Sequence, residues 1–267
     1  MIRRSTIWSD PRVKPPFGSA EIDWSHPQAG ELVACVLFNE AGGSPVDLVF
    51  RGRPTIIGAS TWTPTLDGIG WNARGTDALG YPARPAYDGN AITFVWRGIF
   101  TAIPSFAGIV VIADSVGYHY TLQETASSFA VYENGGLSND TGITVTEAAT
   151  YHHGAVVIFS DGTGVKGYLN AVLQATTAFT PGAAVTGKPL RIGADRGAVP
   201  IFITGTYDHL FLYARALSQE RVSWAYAEPY AFLRPVIRRR WFMPSAAEAP
   251  AGSKVTPRSL GLLGVGA

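Results

Sequence analysis

Short runs of alternating apolar and polar residues, separated by turns, fill most of the second half of this 267-residue chain. Period-two alternation predicts strands over 155–160, 168–173, 189–193 and 206–213. In the last of these runs Tyr207, Phe211 and their period-two neighbours share one face, whereas Asp208 and Leu210 share the other. Both faces carry apolar groups, which is typical of a strand packed between two layers. Asp161-Gly162-Thr163-Gly164 is a predicted turn.

The first half continues this pattern with a less regular stretch. Apolar runs predict strands over 32–38, 91–99, 109–113, 118–123 and 128–132. Trp62, Trp71 and Tyr81 stand among Gly, Asp and Pro, which predicts loops around them. After the last strand, Ser218 is a predicted N-cap for a short helix over 219–227.

Composition fits one large β-domain. Hydrophobic residues make up 46% and charged residues 15% of the chain, and 30 Gly with 18 Pro favour turns over long helices. The net charge of +1 gives no electrostatic reason to expect a specific nucleic acid or a membrane as partner. Cys35, the single cysteine, is expected to be a buried strand residue and excludes an intrachain disulfide. No signal peptide or transmembrane run is recognised, so we expect synthesis in a host cytoplasm.

Both ends of the chain are predicted to be extended arms. Residues 1–30 and 230–267 are interrupted by prolines and carry spaced aromatic and basic residues. We expect these arms to lie across a protein surface, their own or a neighbour's. The predicted arm anchors are Trp8, Phe17, Trp24, Tyr230, Phe232, Arg238, Arg239, Arg240, Trp241 and Phe242. For Arg238 to Arg240, a solvated or inter-subunit tail is the preferred interpretation over nucleic-acid contact.

Several motifs appear in an order that resembles one family. They are Phe38-Asn39-Glu40, Tyr87-Asp88-Gly89-Asn90, Tyr151-His152-His153-Gly154-Ala155, Tyr168-Leu169-Asn170-Ala171, Pro189-Leu190-Arg191-Ile192-Gly193 and the run from Ile203 to Ser218. Together they resemble the laminin-G-like (concanavalin A-like) jelly-roll domains, over about 31–229. The resemblance implies an all-β, antiparallel β-sandwich. It says little about function, because one fold hosts many functions.

The flanking segments carry a second, less specific resemblance. Pro15-Pro16-Phe17-Gly18 to Pro27 and Glu228 to Pro244 are similar to segments that join laminin-G-like domains in proteins encoded by tailed bacteriophages and prophages. This resemblance implies a virion protein, with other virion proteins and further copies of itself as partners.

The residues that could carry chemistry are few. Glycoside hydrolysis on such a sandwich needs paired carboxylates on one strand face, and the nearest fragment, Glu21-Ile22-Asp23, lies in the N-terminal arm and lacks a third acid. His152 and His153 are adjacent strand residues that point to opposite faces, so they cannot chelate one metal ion, and a surface or strand-end pair is the preferred interpretation.

Two binding sites follow from the resemblance and the side-chain types. Members of the family often bind calcium through Asp and Asn at strand ends, which makes Asp88, Asn90 and Asp208 calcium candidates, although no cofactor is required. Exposed aromatic rings stack on sugars, which makes Trp62, Trp71, Tyr81 and Tyr118 ligand candidates, although anchoring in the core or in an arm is the preferred interpretation.

Two functions from different classes remain open. The first is a non-enzymatic structural protein of a bacteriophage particle, a head decoration or fibre-like part, whose arms assemble subunits and whose sandwich exposes a glycan-binding surface. The second is a lectin-like adhesion module that binds a host-surface glycan with or without calcium. A glycanase is the third and least supported hypothesis.

Overall fold

The computed structural model of the chain describes residues 10–59, 61–114, 118–124, 128–133, 138–144, 151–183, 185–195 and 200–236, except the side chains of Tyr118, Gln123, Glu124 and Ser138. These residues form an antiparallel sandwich of two large sheets, which confirms the predicted fold class. The strands are β1 Ala20–Ile22, β2 Leu32–Val36, β3 Thr55–Ile57, β4 Thr61–Thr65, β5 Gly68–Arg74, β6 Ala78–Tyr81, β7 Ile92–Ala102, β8 Gly108–Ala113, β9 Tyr118–Glu124, β10 Phe129–Glu133, β11 Ser138–Asp140, β12 His152–Ile158, β13 Val165–Leu169, β14 Val172–Thr177, β15 Leu190–Ile192, β16 Thr204–Tyr213 and β17 Leu233–Pro235. Helix α1 spans Gln219–Ala227, and single 3₁₀ turns occupy Pro27–Ala29 and Pro85–Tyr87.

The sheet order is non-sequential, as in a jelly roll. The larger sheet runs β14-β13-β12-β7-β16-β5-β4, with β2 paired to the second half of β16. The smaller sheet runs β11-β10-β9-β8-β15-β6-β3, and β1 pairs with β17 in a separate two-stranded sheet. Because strands distant in sequence lie side by side, most of the fold depends on long-range contacts.

The main core lies between the two large sheets. Trp71, Trp96 and Leu210 of the larger sheet pack in one cluster with Leu79 and Val110 of the smaller sheet, all without solvent exposure. Burial of such side chains stabilises each by about 1.5–3 kcal/mol before entropy is counted.

A second apolar layer covers the outer face of the larger sheet. Val95 and Phe211 point to this face and pack with Val222 of α1 and with Tyr230 and Phe232. Alternate residues of β7 therefore enter different cores, which explains why both of its faces are apolar. Cys35 is buried in this layer as a free thiol, as expected.

The predicted strand over 168–173 is wrong: the segment is a hairpin. β13 ends at Leu169 and β14 begins at Val172, and the two turn residues Asn170 and Ala171 both have positive φ, 50° and 65°. Two such residues form the turn type whose twist suits a hairpin. Asn170 is held by tertiary contact, because its Oδ1 accepts a hydrogen bond from the His153 N–H at 3.1 Å.

The side chains of β16 also do not alternate strictly between the two faces of the sheet. The register against β7 shifts between Tyr207 and His209, so that Asp208 is an extra residue. Tyr207 consequently joins Leu210 in the main core, whereas His209 stacks on Phe211 on the outer face, with ring centroids 4.5 Å apart.

The stretch predicted as loops contains four strands, β3 to β6. Pro64 is tolerated in β4 because that strand is the edge of the larger sheet. Gly70 in β5 is required by close packing, since a Cβ there would lie 2.5 Å from the Thr206 side chain.

Candidate functional site

A cleft of about 500 Å³ opens beside the two-stranded sheet. Three separated segments form it: the N-terminal segment with β1, the turn that follows β2, and β17. Its lining consists of Pro16, Phe17, Gly18, Ala20, Glu21, Ile22, Trp24, Leu37, Asn39, Glu40, Val46, Leu48, Val49, Arg51, Arg234 and Val236. The volume lies within the usual range of small-molecule sites.

Two large aromatic side chains in this lining face solvent. Phe17 is 54% and Trp24 58% exposed, although both belong to segments with fixed backbones. Phe17 lies in a turn closed by the Ser19 N–H to the Pro16 carbonyl at 3.1 Å. Trp24 follows Asp23, whose N–H donates to the Phe232 carbonyl at 2.9 Å. Exposed rings on a hydrogen-bonded backbone beside a cavity are suited to stack on a ligand.

Polar groups with defined partners complete the cleft. Glu21 and Arg234 are cross-strand neighbours and form an ion pair at 2.9 Å. Glu40 is turned inward: its Oε1 accepts the Val46 N–H at 2.7 Å, and burial raises the pKa of this carboxyl above its usual range. Arg51 also lines the cleft and is exposed. The cleft therefore combines apolar rings with a few oriented charges.

A buried charge cluster lies elsewhere, around the bulge of β16. The Lys14 ammonium forms an ion pair with Asp208 and donates to the Ile69 carbonyl at 2.7 Å. Arg97 pairs with Asp67 and lies 3.9 Å from the second Asp208 oxygen. Burial outweighs Asp208 and lowers the pKa of Lys14, and burial raises the pKa of Asp67. Two cations and two carboxylates thus neutralise one another.

Two histidines border this cluster on the outer face. The rings of His153 and His209 lie 5.6 Å apart, and His209 Nδ1 is 3.1 Å from the Tyr230 hydroxyl. Burial lowers the pKa of His153 to about 3 and that of His209 well below its usual value, with Arg97 adding to both shifts. His153 is therefore a buried neutral side chain: the two histidines lie at the strand end, as one of the two expected placements has it, but they are not on the surface.

The aromatic residues predicted as sugar ligands lie in strands. Trp71 in β5 and Tyr81 in β6 are buried in the main core, so neither ring presents a face to solvent. Trp62 in β4 is half-buried against that core, opposite Trp71. Tyr118 begins β9, but its side chain lies outside the described residues.

The structure does not bring the three calcium candidates together. Asp88 accepts the Gly187 N–H at 3.0 Å and precedes Ile92, the start of β7. Asp208 lies beside Arg97, which is five residues after Ile92 in β7. Five residues of a strand span about 16 Å. The Lys14 ammonium already occupies its Oδ1. Asn90 stays near Asp88, where its carbonyl accepts the Tyr120 hydroxyl at 2.9 Å.

These positions do not fit a shared calcium ion. Within the described ranges, no group of three His, Cys, Asp or Glu side chains could hold a metal ion.

The predicted arm anchors divide into two kinds. Tyr230 and Phe232 are fully covered by their own chain, so their rings are not available to a neighbouring subunit in this structure. Phe17 and Trp24 remain exposed at the cleft. Trp8, Arg238, Arg239, Arg240, Trp241 and Phe242 lie outside the described residues.

Comparison with known proteins places the sandwich in a family. A family model described as the concanavalin A-like lectin/glucanases superfamily matches residues 84–223. No curated protein sequence matches the chain. Every cleft residue lies outside the matched range. The family match therefore says nothing about the cleft.

Solved structures show the same fold at low sequence identity. Domain 4 of AbnA, a GH43 extracellular arabinanase from Geobacillus stearothermophilus solved with arabinotriose, matches with a TM-score of 0.58 and 16% identity over 77% of this chain and 98% of that chain. Trypanosoma rangeli sialidase in complex with sialic acid matches with a TM-score of 0.57 and 16% identity over 73% of this chain and 32% of the sialidase. The binding domain of Paraclostridial Mosquitocidal Protein 1 matches with a TM-score of 0.58 and 10% identity over 73% of this chain and 52% of that chain.

In the described part of the chain, no helix is long and apolar enough to cross a bilayer.

Proposed function

This chain belongs to the concanavalin A-like lectin/glucanases superfamily, and on that premise we propose that it is a non-enzymatic carbohydrate-binding module. The ligand would bind in the cleft between β1, β17 and the turn after β2. One observation carries the proposal: Phe17 and Trp24 remain more than half exposed on the wall of a cleft of about 500 Å³. Aromatic faces of this kind cover the C–H faces of sugar rings, and the neighbouring polar groups suit hydroxyl groups.

Several similar structures support this class of ligand. The arabinanase domain was solved with arabinotriose and the sialidase with sialic acid. The binding domain of Botulinum Neurotoxin DC was solved in complex with SialylT, and it matches with a TM-score of 0.55 at 9% identity over 74% of this chain and 51% of that one. The buried cluster around Asp208 supports binding over hydrolysis, because its carboxylates are already paired with Lys14 and Arg97.

A glycan array probed with the full-length chain tests the proposal. We expect binding to at least one oligosaccharide and a loss of roughly ten-fold or more in affinity for Trp24→Ala and for Phe17→Ala, as for anchor residues of a binding site. Phe106→Ala is the matched control, because Phe106 is 52% exposed and does not line the cleft. Equal binding by all three variants, or no binding by the unchanged protein, would refute a carbohydrate site in this cleft.

The second candidate is a structural role in a bacteriophage particle, as a head decoration or fibre-like protein. It is supported by the same exposed Phe17 and Trp24, since large exposed aromatic residues also mark protein interfaces. Light scattering of the full-length chain separates the two roles. If Trp24→Ala dissociates an oligomer and leaves glycan binding unchanged, the assembly role is favoured over the carbohydrate site.

A further inference from the structure

Arg51 is held in place on the wall of the cleft by a rigid turn. The Asp47 carboxylate, which is fully buried, accepts N–H groups of Cys35 at 2.9 Å and Val49 at 3.0 Å through one oxygen. The Asp47 N–H donates to the Gly52 carbonyl at 3.0 Å. These bonds attach the turn to β2, and Arg51 itself adopts a positive φ of 54°. A non-glycine residue in this conformation is costly, and the surrounding hydrogen bonds hold the backbone at Arg51 in it.

Arg51 also carries a charge without a partner. Among the described residues its side chain forms no hydrogen bond or ion pair. Among the other charges of the cleft, Glu21 is paired with Arg234 at 2.9 Å, and one Glu40 oxygen accepts the Val46 N–H, whereas the second, buried Glu40 oxygen has no hydrogen-bond partner among the described residues. Of the two exposed guanidinium groups that line the cleft, Arg234 is therefore paired with Glu21, and Arg51 has no ion-pair partner among the described residues.

We propose that the cleft selects an acidic sugar, a glycan unit bearing a carboxylate, and that Arg51 is the residue that determines this selectivity. The proposal rests on the proposed carbohydrate-binding function. A guanidinium matches the geometry of a carboxylate with two parallel N–H bonds, which a neutral sugar hydroxyl cannot accept in the same way. Phe17 and Trp24 would stack on the sugar ring, and Arg51 would bind its carboxylate.

Matched ligands test the proposal on the full-length chain. The probes are oligogalacturonides and their methyl esters, and sialyllactose and its methyl ester, so that each acidic glycan is compared with a form lacking the charge. Titration calorimetry at low salt should show about ten-fold tighter binding of the acid in at least one pair. This is the lower end for a charge-assisted hydrogen bond, because Arg51 is exposed. The preference should decrease as salt screens the charge.

Arg51→Gln should abolish the preference and leave affinity for the neutral form unchanged. Arg53→Gln is the control: Arg53 is an exposed arginine two residues away that donates to the Ser44 carbonyl at 2.8 Å and does not line the cleft. Equal affinity for acid and ester, or a preference that survives Arg51→Gln, overturns the selectivity while carbohydrate binding stands. If no probe and no arrayed glycan binds, both proposals fail.

Discussion

The ion pair between Lys14 and Asp208 should contribute strongly to stability. Both side chains are buried, at 2% and 0% exposure, and the ammonium has only Asp208 and the Ile69 carbonyl as described partners. Lys14→Met would leave a buried carboxylate without its cation. Such a change costs about 3–5 kcal/mol in the free energy of unfolding. Asp208 would keep the Thr65 hydroxyl at 3.2 Å and Arg97 at 3.9 Å, so we expect the lower end, about 3 kcal/mol.

A double-mutant cycle isolates this interaction. Urea unfolding of Lys14→Met, Asp208→Asn and the double variant should show a coupling free energy of about 2 kcal/mol, because the double variant buries no unpaired charge. A loss of about 3 kcal/mol corresponds to roughly 6–12 °C in melting temperature for a domain of this size.

Arg12→Ala is the matched control for the cycle. Arg12 lies two residues from Lys14 and is 71% exposed, so its loss should change stability by less than about 0.5 kcal/mol. If Lys14→Met is as mild as Arg12→Ala, or if the coupling is near zero, the pair does not anchor the N-terminal segment and the reasoning is refuted.

Two further predictions concern the packing and titration of the sandwich. Gly154→Ala should destabilise the protein by more than about 3 kcal/mol in urea unfolding, because the new Cβ would lie 2.1 Å from the buried ring of Trp96. Gly42→Ala is the control and should be neutral, because the added Cβ would have no atom within 4 Å. Similar losses of stability for both variants would refute the steric argument. Stability should also fall as the pH decreases from about 6.5 towards 3, because the folded-state pKa of His153 is about 3 and the unfolded chain takes up the proton first. His153 alone contributes a slope of up to about 1.4 kcal/mol per pH unit, and His209, whose pKa burial lowers well below its usual value, adds to it. His153→Phe should reduce that slope, and an unchanged slope would contradict the assignment.

Local patterns were sufficient to predict some strands of the second half and the helix. The helix prediction over 219–227 matches α1, whose N-cap Ser218 accepts the Arg221 N–H at 3.5 Å. β15 and β16 were also predicted within two residues of their ends. These elements carry their own turn and cap residues, so the sequence alone marks where they begin and end.

Elements stabilised by distant neighbours were missed. Pro64 and Gly70 argued against strands in the first half, yet the edge position of β4 tolerates the proline and the close approach of β16 requires the glycine. The turn at Asn170-Ala171 lacks the glycine that usually marks a hairpin, and part of its support comes from His153 in a neighbouring strand. Neither the position of a strand in the sheet nor a contact with a distant strand can be recognised from a short stretch of sequence.

The candidate site was predicted only in its components. Phe17 and Trp24 were recognised as aromatic anchors, but the sequence cannot tell an exposed anchor from a buried one such as Phe232. Glu21 was noticed as an isolated acid, and Arg51 was not singled out at all. The cleft arises from segments about 20 to 200 residues apart, so it is a property of the tertiary structure.

The way the larger sheet is covered explains why the cleft lies where it does. The N-terminal segment, α1 and the two-stranded sheet lie over the outer face of that sheet, and Lys14 neutralises the carboxylate at its bulge. A ligand cannot reach Asp208 or His209, which are fully buried. The same covering segments create a new concave surface at their border with the turn after β2, where Phe17, Trp24 and Arg51 meet solvent. The segments that cover one face of the sandwich thus also supply part of the cleft lining.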